Sequence, residues 1–268
     1  MMVRVMDIRA HNREAWDKAF ERGNPWTVPV GEEEVKKARQ GDLRIFLTPT
    51  KPIPKDWFPP LKGLKVLGLA ASGGQQGPLL AAAGAQVTVL DNSPAQLARD
   101  RMVAEREGLS LETAEGDMAD LSRFKDASFG LIVHPVSDVF APDILPVWRE
   151  AARVLKPGAS LLSGITNPVI YMFDQVEMTQ RGTLKVTNKL PYSDVEHLSP
   201  ESKKAYIEEK IPFEFSHTLQ DYLGGQIGAG FSLEGFYEDN YPASDSEPLS
   251  KFMPLFFATR AVKRPGNL

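Results

Sequence analysis

The sequence predicts a doubly wound α/β domain with a mostly parallel sheet, preceded by an N-terminal extension and interrupted by one insertion. Two observations support this fold class. From Leu64 onward, short apolar runs alternate with stretches of helical composition, which is the pattern of βαβ units. Several of these apolar runs are continuous, as is typical of parallel strands that are buried on both faces.

The predicted elements follow one another in order along residues 64–165. Strands are predicted at KVLGLA, AQVTVLD, LSLETAEG, SFGLIVH and ASLLSGI, and helices at QQGPLLAAAG, SPAQLARDRMVAEREG and PDILPVWREAARVLKPG. Ser93 and Pro94 provide an N-cap and a first-turn proline for the second of these helices. Lys156, Pro157 and Gly158 end the third.

Beyond Ile165 the regular alternation stops. We interpret residues 167–216 as an insertion over an edge of the sheet and residues 217–229 as largely helical. The runs FSLEGFYED and FMPLFFATRAV are strand-like and are predicted to complete the sheet. One domain over residues 64–268 with one insertion is therefore more economical than two domains.

The first 63 residues are predicted to be an extension that precedes this domain. Five prolines fall between residues 48 and 62. Because proline removes a backbone donor and disfavours helix before it, this stretch is predicted to be an extended linker or a segment that wraps around the domain. Residues 12–22 have the composition of an amphipathic helix. One interpretation of that helix is that it covers an edge of the sheet.

The composition excludes several kinds of site. The chain of 268 residues has no cysteine, which rules out disulfides, thiolate metal sites and a cysteine nucleophile. The four histidines, His11, His134, His197 and His217, have no metal-binding spacing, so no metal site is predicted, although carboxylate-held magnesium stays open.

Charge and hydropathy bear on partners and location. The net charge is −4, the calculated pI is about 5.7, and there is no basic run, so nucleic acid is not expected as a partner. The N-terminus lacks the apolar core of a secretory signal. No stretch approaches the roughly 18 apolar residues of a membrane-spanning helix, so we expect a cytoplasmic protein that does not act at a membrane.

The most informative stretch is VLGLAASGGQQGPLLAAAGAQVTVLD, residues 66–91. Small residues between Ala70 and Gly74 allow a ligand to approach the backbone, and the following helix offers free N–H groups. Asp91, at the end of the next strand, suits a ribose diol, and both features fall at the carboxyl edge of the sheet, where ligands bind in open α/β folds. The alternative is that the glycines only make a tight turn and Asp91 caps a helix.

The identity of the nucleoside is not decided by this loop. Ser72, Gly74 and Gly77 also approximate the dinucleotide fingerprint, with Asp91 at the position of the ribose-binding acid. Later features favour a different cofactor. Asp117 can accept a hydrogen bond from an adenine amino group while Met118 covers the ring, although a helix cap and a core filler are the alternatives.

Residues 64–165 resemble the core of class I S-adenosylmethionine-dependent methyltransferases, in the broad group that contains many small-molecule methyltransferases. The motifs that carry the resemblance are VLGLAASGGQ, VTVLD, EGDMADL, FGLIVH and REAARVLKPG. The resemblance implies a Rossmann-like sheet of seven strands with the last one antiparallel, and S-adenosyl-L-methionine as cofactor. It also suggests that the extension can close over the site as a lid.

The resemblance implies that the cofactor is bound by a set of residues at the strand ends, namely Ala70, Ser72, Gly74, Gln75, Asp91, Asn92, Asp117, Met118 and His134. This loop departs from the usual family pattern of an acid followed by alternating glycines. Gly68 stands in place of the acid, and the candidates to replace its hydrogen bonds are Gln75, Gln76 and the Ser72 hydroxyl.

Methyl transfer requires mainly the alignment of an acceptor atom with an already activated methyl group, so the absence of a catalytic triad is uninformative. A protonated nucleophile would gain from a general base. We consider His134, which ends the fourth predicted strand, and His217 as candidates for that base, and Tyr171 as a candidate for the substrate pocket. For Tyr171, packing is the alternative.

Three functional classes follow from the sequence. The first is a methyltransferase with a small-molecule acceptor, which is favoured because the segment HPVSD does not resemble the N/D-P-P-Y signature of nucleic-acid base methyltransferases. The second is an NAD-dependent oxidoreductase, and the third is a non-catalytic nucleoside-binding module. The acceptor and the oligomeric state are not predicted.

Overall fold

The computed structural model describes residues 6–19, 21–241 and 248–265. Its centre is a seven-stranded sheet with the order β3-β2-β1-β4-β5-β7-β6. The strands are β1 (Lys65–Leu69), β2 (Gln86–Asp91), β3 (Leu111–Glu115), β4 (Phe129–His134), β5 (Leu155–Thr166), β6 (Phe231–Asp239) and β7 (Phe256–Lys263). The first five are parallel, whereas β7 runs antiparallel to both β5 and β6. The predicted mostly parallel, Rossmann-like sheet is confirmed.

The described helices are α1 (Ile8–Ala19), α2 (Glu32–Arg39), α3 (Gln76–Ala82), α4 (Pro94–Glu107), α5 (Leu145–Val154), α6 (Gln175–Arg181), α7 (Asp194–His197), α8 (Pro200–Glu209) and α9 (Gly225–Gly228). Helix α4 begins as the sequence predicts, because the Ser93 side chain accepts a hydrogen bond from the Gln96 amide. The helix predicted over 217–229 is divided into a π-helical turn, Gln220–Gly224, and the short α9.

Two apolar layers cover the sheet, one on each face. Along β1, Leu67 and Leu69 pack in the layer that contains Trp148 of α5, whereas Val66 packs in the opposite layer with Leu80 of α3. This is the period of two that a strand imposes on its side chains. None of the described helices is long and apolar enough to cross a membrane.

The N-terminal extension contributes to the core. Ile45, Leu47, Ile53 and Trp57 are all buried in the second layer. A Cβ atom placed on Gly164 of β5 would collide with the carbonyl of Leu47, so the chain crosses this strand in direct contact. The proline-rich stretch is therefore packed against the sheet rather than being a free linker.

Two further details of the extension differ from the sequence expectation. Helix α1 begins at Ile8, four residues before the predicted start, and α2 was not predicted. Residues 1–5 and 20 of the predicted extension, and 242–247 and 266–268 of the predicted domain, lie outside the described residues.

The segment 167–216 leaves β5 at its carboxyl end and contains the turn Pro168–Met172 and helices α6, α7 and α8. It returns towards the sheet through Phe215, whose amide donates a 2.7 Å hydrogen bond to the Val139 carbonyl. Val139 lies in the turn Asp138–Phe140, directly after β4. The segment therefore extends over the carboxyl ends of β4 and β5.

Candidate functional site

A cleft of about 730 Å³ lies at the carboxyl ends of the parallel strands. From β1 the chain adds β2 and β3 on one side of the sheet and then crosses to add β4 and β5 on the other. The strand order therefore reverses between β1 and β4, which is where open α/β sheets bind ligands. The cleft is bordered by the loops that follow β1 to β5, by the N-terminal extension and by the segment 167–216.

Asp91 ends β2 and lines the cleft. Its Oδ1 accepts a 2.9 Å hydrogen bond from the Ser93 amide, and its Oδ2 lies 3.4 Å from the Ser72 amide. Burial raises the pKa of Asp91, while the hydrogen bonds from Ser72 and Ser93 oppose that shift. A carboxylate is thus held at the junction of β2, the glycine loop and α4.

Asp117 and Met118 follow β3 and line the same end of the cleft. Asp117 Oδ1 accepts a 2.9 Å hydrogen bond from the Ala119 amide. Asp117 therefore stabilises a turn, not the start of a helix, and lines the cleft as well. Asp117 Oδ2 lies 3.7 Å from Arg9 Nε. Asn92 joins this group, since its Nδ2 donates a 2.9 Å hydrogen bond to the Arg9 carbonyl.

The loop after β1 brings Ala70, Ser72 and Gln75 to the cleft. Ala70 has a φ of +46°, and its amide donates a 2.8 Å hydrogen bond to the Leu90 carbonyl. Gln75 Nε2 donates a 2.9 Å hydrogen bond to the Val28 carbonyl, and Gln76 Nε2 donates one of 3.2 Å to the Phe46 carbonyl. Both glutamine amides therefore hold the N-terminal extension.

Gly74 was predicted to bind the cofactor, but it is not among the residues that line the cleft. Its φ is +75°, and a Cβ atom there would lie 2.9 Å from Cβ of Pro29. The Gly74 carbonyl accepts a 2.9 Å hydrogen bond from the Val30 amide. The contact with the extension therefore leaves no room for a side chain at this position.

Asp100 stabilises the loop after β1. No role for this residue was predicted from the sequence. It is fully buried on α4, and its Oδ2 accepts a 3.1 Å hydrogen bond from the Gly73 amide. Burial raises the pKa of Asp100 to about 8. The residue lies in the charged run ARDRMVAERE, which resembles a solvated helix face, so the sequence carries no local signal for this contact.

His134 and His217 do not line the cleft, which corrects their assignment as candidate bases and that of His134 as a cofactor contact. His134 is fully buried, its Nδ1 lies 2.9 Å from the Leu69 carbonyl, and burial lowers its pKa to about 4. His217 Nε2 lies 3.0 Å from the Ala141 carbonyl, and burial lowers its pKa too. Both rings bond main-chain carbonyls inside the protein.

Tyr171 lies at the other end of the cleft, in the turn that follows β5. Its hydroxyl donates a 2.6 Å hydrogen bond to Oε2 of Glu214, which also lines the cleft. Burial raises the pKa of Glu214 to about 7. The sequence did not point to Glu214, which lies 43 residues beyond its partner.

No group of three or more His, Asp or Glu side chains suited to a metal ion occurs in the part of the chain that the structure describes. The polar groups of the cleft include two aspartates that follow β2 and β3, and the Glu214–Tyr171 pair beyond β5.

Comparison with known proteins agrees with this geometry. The profile of a family described as a methyltransferase domain matches residues 67–163. The chain is 53% identical over 254 residues to an uncharacterized methyltransferase of Bacillus subtilis, YbaJ, and the match covers 95% of this chain and 98% of that protein.

Two solved structures share the fold. One is an S-adenosylmethionine-dependent methyltransferase from Mesorhizobium loti, with a TM-score of 0.60, 20% identity and coverage of 78% of this chain and 95% of that one. The other is a putative methyltransferase of the same cofactor class from Listeria monocytogenes, with a TM-score of 0.61, 15% identity and coverage of 87% and 100%. Of the functional classes that the sequence left open, the family and relative matches select a methyltransferase. The chain belongs to the S-adenosylmethionine-dependent methyltransferases.

Proposed function

We propose that this protein transfers the methyl group of S-adenosylmethionine to a small-molecule acceptor inside the cleft. The observation that carries the proposal is that one cleft has two chemically different ends, with Asp91 and Asp117 at one and Glu214 and Tyr171 at the other. Its volume of about 730 Å³ lies within the range of roughly 300–1,000 Å³ that is usual for small-molecule sites.

The residues of the β2–β3 end fit the cofactor. Asp91 suits the ribose hydroxyls and Asp117 the adenine amino group, since ionised carboxylates accept strong hydrogen bonds. Met118 would cover a face of the purine, and the loop at Ala70 and Ser72 brings the backbone to the same place. The cofactor supplies a methyl group already activated on a sulfonium sulfur, so the protein has mainly to orient the acceptor.

The N-terminal extension is proposed to act as a lid over this end. Helix α1 docks on the start of α4, where Ser93 Oγ donates a 2.6 Å hydrogen bond to Asp17 Oδ1. Arg9 of the same helix contacts both Asn92 and Asp117. Exclusion of water from the cleft strengthens the electrostatic interactions inside it.

The charge of the protein supports a small acceptor over a nucleic acid. The net charge is −4, and Arg9 is the only cationic side chain among the described residues that line the cleft. Nucleic-acid binding relies on many Lys and Arg contacts to phosphates. A small acceptor that enters an enclosed cleft needs none.

The proposal is tested by thermal-shift and calorimetric measurements with S-adenosylhomocysteine, S-adenosylmethionine and NAD. The first two ligands are expected to raise the melting temperature, because a ligand that binds only the native state stabilises it. In Asp91→Asn the affinity for S-adenosylhomocysteine is expected to fall by about 10- to 100-fold, the scale of lost charge-assisted hydrogen bonds.

Glu115→Gln is the matched control, since Glu115 ends the neighbouring strand β3 but does not line the cleft. Equal affinity in Asp91→Asn and wild type, or stabilisation by NAD alone, would contradict the proposed site.

A further inference from the structure

The β4–β5 end of the cleft is built by two segments that are distant in sequence. Tyr171 follows β5, and Glu214 lies in the strand-like stretch that returns from α8. This stretch is fixed on both sides of Glu214. The Glu214 amide donates a 2.7 Å hydrogen bond to Asp194 Oδ2, and the next amide, of Phe215, donates to Val139 after β4.

Tyr171 is fixed as firmly as Glu214. Its ring stacks on that of Tyr192, with ring centroids 5.4 Å apart and an interplanar angle of 21°. The Tyr192 hydroxyl donates a 2.8 Å hydrogen bond to Asp194 Oδ1. Asp194 therefore holds both members of the pair, one through the Glu214 backbone and the other through the stacked ring.

The surroundings of the pair are mostly apolar. One apolar cluster lines the cleft next to Tyr171, and its lining members are Val136, Ile170, Met178, Tyr241 and Phe256. Helix α1 reaches this end through Asn12, whose side chain bonds the main chain of Phe213. Arg9 of the same helix is the one cation among the described lining residues, and its guanidinium is engaged by Asp117 and Asn92. A carboxylate or phosphate on the acceptor would therefore have no cation in the cleft that is not already engaged, and burial of such a charge without a partner is costly.

We propose that Glu214 accepts the proton of the acceptor's hydroxyl group, that Tyr171 positions Glu214, and that the acceptor is an uncharged, largely apolar molecule with a weakly acidic hydroxyl, such as a phenol. This inference rests on the proposed methyl transfer. It adds the base, the residue that positions it and the chemical class of the acceptor.

The step balances as follows in atoms and electrons. The acceptor O–H bond breaks and its proton moves to a Glu214 carboxylate oxygen. An oxygen electron pair forms the bond to the methyl carbon while the bond from that carbon to sulfur breaks, and the electron pair of that bond goes to sulfur. The products are a methyl ether, S-adenosylhomocysteine and a protonated Glu214, which then loses its proton to water.

The environment of Glu214 suits a base that works near neutral pH. Burial raises its pKa to about 7, the hydrogen bond from Tyr171 opposes this shift, and the charge of Asp194 adds to it. Removal of the Tyr171 hydroxyl would therefore raise the pKa of Glu214 further. The titratable groups that interact with the pair are Asp138, Tyr192, Asp194, Tyr206 and Tyr222.

The first test uses the unliganded full-length protein and needs no acceptor. Infrared difference spectra, wild type minus Glu214→Gln, are expected to show a protonated-carboxyl band that disappears with a midpoint near pH 7. In Tyr171→Phe the midpoint is expected at higher pH. Tyr206→Phe is the control, because Tyr206 interacts with Glu214 only through its charge and does not line the cleft. A midpoint that does not move in Tyr171→Phe would overturn the positioning role.

The second test measures S-adenosylhomocysteine formation with three probes of similar size, 2-naphthol, 2-naphthoic acid and 1-naphthylmethylamine. Only 2-naphthol is expected to be methylated. Glu214→Gln is expected to lower turnover by about 100-fold, within the range for loss of a general base, with unchanged S-adenosylhomocysteine affinity. In Tyr171→Phe the acidic limb of the pH profile should move to higher pH.

Methylation of the acid or the amine in preference to 2-naphthol, or of none of the three, would overturn the acceptor class. Wild-type turnover in Glu214→Gln would overturn the base. Binding of S-adenosylhomocysteine, measured separately, decides the proposed function, so the two failures are distinguishable. Glu208→Gln, on the exposed face of α8, is the matched control for the loss of a carboxylate.

Discussion

The Nδ1 atom of His134 lies 2.9 Å from the main-chain carbonyl of Leu69, which joins the last residue of β4 to the last residue of β1. The ring is fully buried and meets Trp148 edge to face, with centroids 6.0 Å apart. Because burial lowers the pKa of His134 to about 4, the ring is neutral at pH 7 and Nδ1–H donates to Leu69. His134 thus ties together the two strands between which the topology reverses.

Replacement of His134 by alanine is expected to lower the free energy of unfolding at pH 7 by about 2–5 kcal/mol, the usual range for truncation of a large buried side chain. In the wild type the folded-state pKa lies below the unfolded value of 6.5, so this stabilisation is present above pH 6.5 and is lost as pH falls towards 4. Urea unfolding at pH 5 and pH 7 measures both effects. A fully stable variant would contradict the structural role.

Arg9 and Arg13 form a matched pair on α1. Arg9 contacts Asn92 and Asp117 in the cleft, whereas Arg13 Nη1 pairs with Glu115 at 3.0 Å outside it. We expect Arg9→Ala to accelerate release of S-adenosylhomocysteine several-fold. The acceleration of release is expected to be only several-fold, because an exposed ion pair contributes about 1 kcal/mol or less.

Stopped-flow release of S-adenosylhomocysteine measures this effect. Arg13→Ala removes the same charge from the same helix and is expected to leave the release rate unchanged. Equal release rates in wild type, Arg9→Ala and Arg13→Ala would show that α1 does not restrain the ligand.

Asp100 is expected to make stability depend on pH in the direction opposite to an ordinary carboxylate. Its folded-state pKa of about 8 lies above the unfolded value of 3.8. Its favourable contribution is therefore complete below pH 3.8 and is lost as pH rises through 8. Asp138 and Glu214, each with a pKa of about 7, act in the same direction.

Asp100→Asn keeps an oxygen that can accept from Gly73 and cannot ionise. The variant is expected to reduce the fall in the free energy of unfolding between pH 5 and pH 8 by up to about 1.4 kcal/mol per pH unit, the value for one proton. Urea titrations across this interval measure the slope. An unchanged slope would show that Asp100 does not bind its proton in the folded state.

Gly164→Ala is expected to separate the extension from the sheet. The added Cβ would collide with the Leu47 carbonyl, which also accepts a 3.0 Å hydrogen bond from the Val136 amide. Overpacking in a core costs about 1–3 kcal/mol. Limited proteolysis is expected to cleave the variant within residues 21–63 faster than wild type.

Gly158→Ala provides the comparison for Gly164→Ala, since nothing lies within 4 Å of the corresponding Cβ position, although its φ of +78° adds some strain. Protection of residues 21–63 equal to that in wild type would contradict the contact.

The sequence was sufficient for the sheet and for the acids at its edge, because both depend on local patterns. Continuous apolar runs identified β1 and β4, and Asp91 and Asp117 follow directly from the ends of β2 and β3. The position of the cleft at those strand ends could be predicted from the topology alone. The two acids of the β2–β3 side were therefore within reach of sequence reasoning, whereas Arg9, which contacts Asp117, was not.

His134 was chosen as a candidate base because of its residue type, without regard to the face of the strand on which its side chain lies. Side chains two apart on a strand point to the same face, and Ile132 packs in the same layer as Trp148. The parity of the strand therefore indicated that His134 points into the helix layer and away from the cleft.

The contacts of Glu214 and Leu47 had no local signal. Glu214 reaches the cleft only through the fold of a segment without regular alternation, and the contact between Leu47 and Gly164 spans more than a hundred residues. Long-range packing of this kind depends on the complete tertiary structure.

The position of Leu47 and Trp57 in the core has a consequence for biosynthesis. These residues are synthesised before any strand of the sheet, because β1 begins only at Lys65 and β5, which Leu47 contacts, ends at Thr166. Their side chains therefore cannot be buried against the complete sheet until β5 has been translated, and a chaperone that binds unfolded chains is expected to bind this stretch.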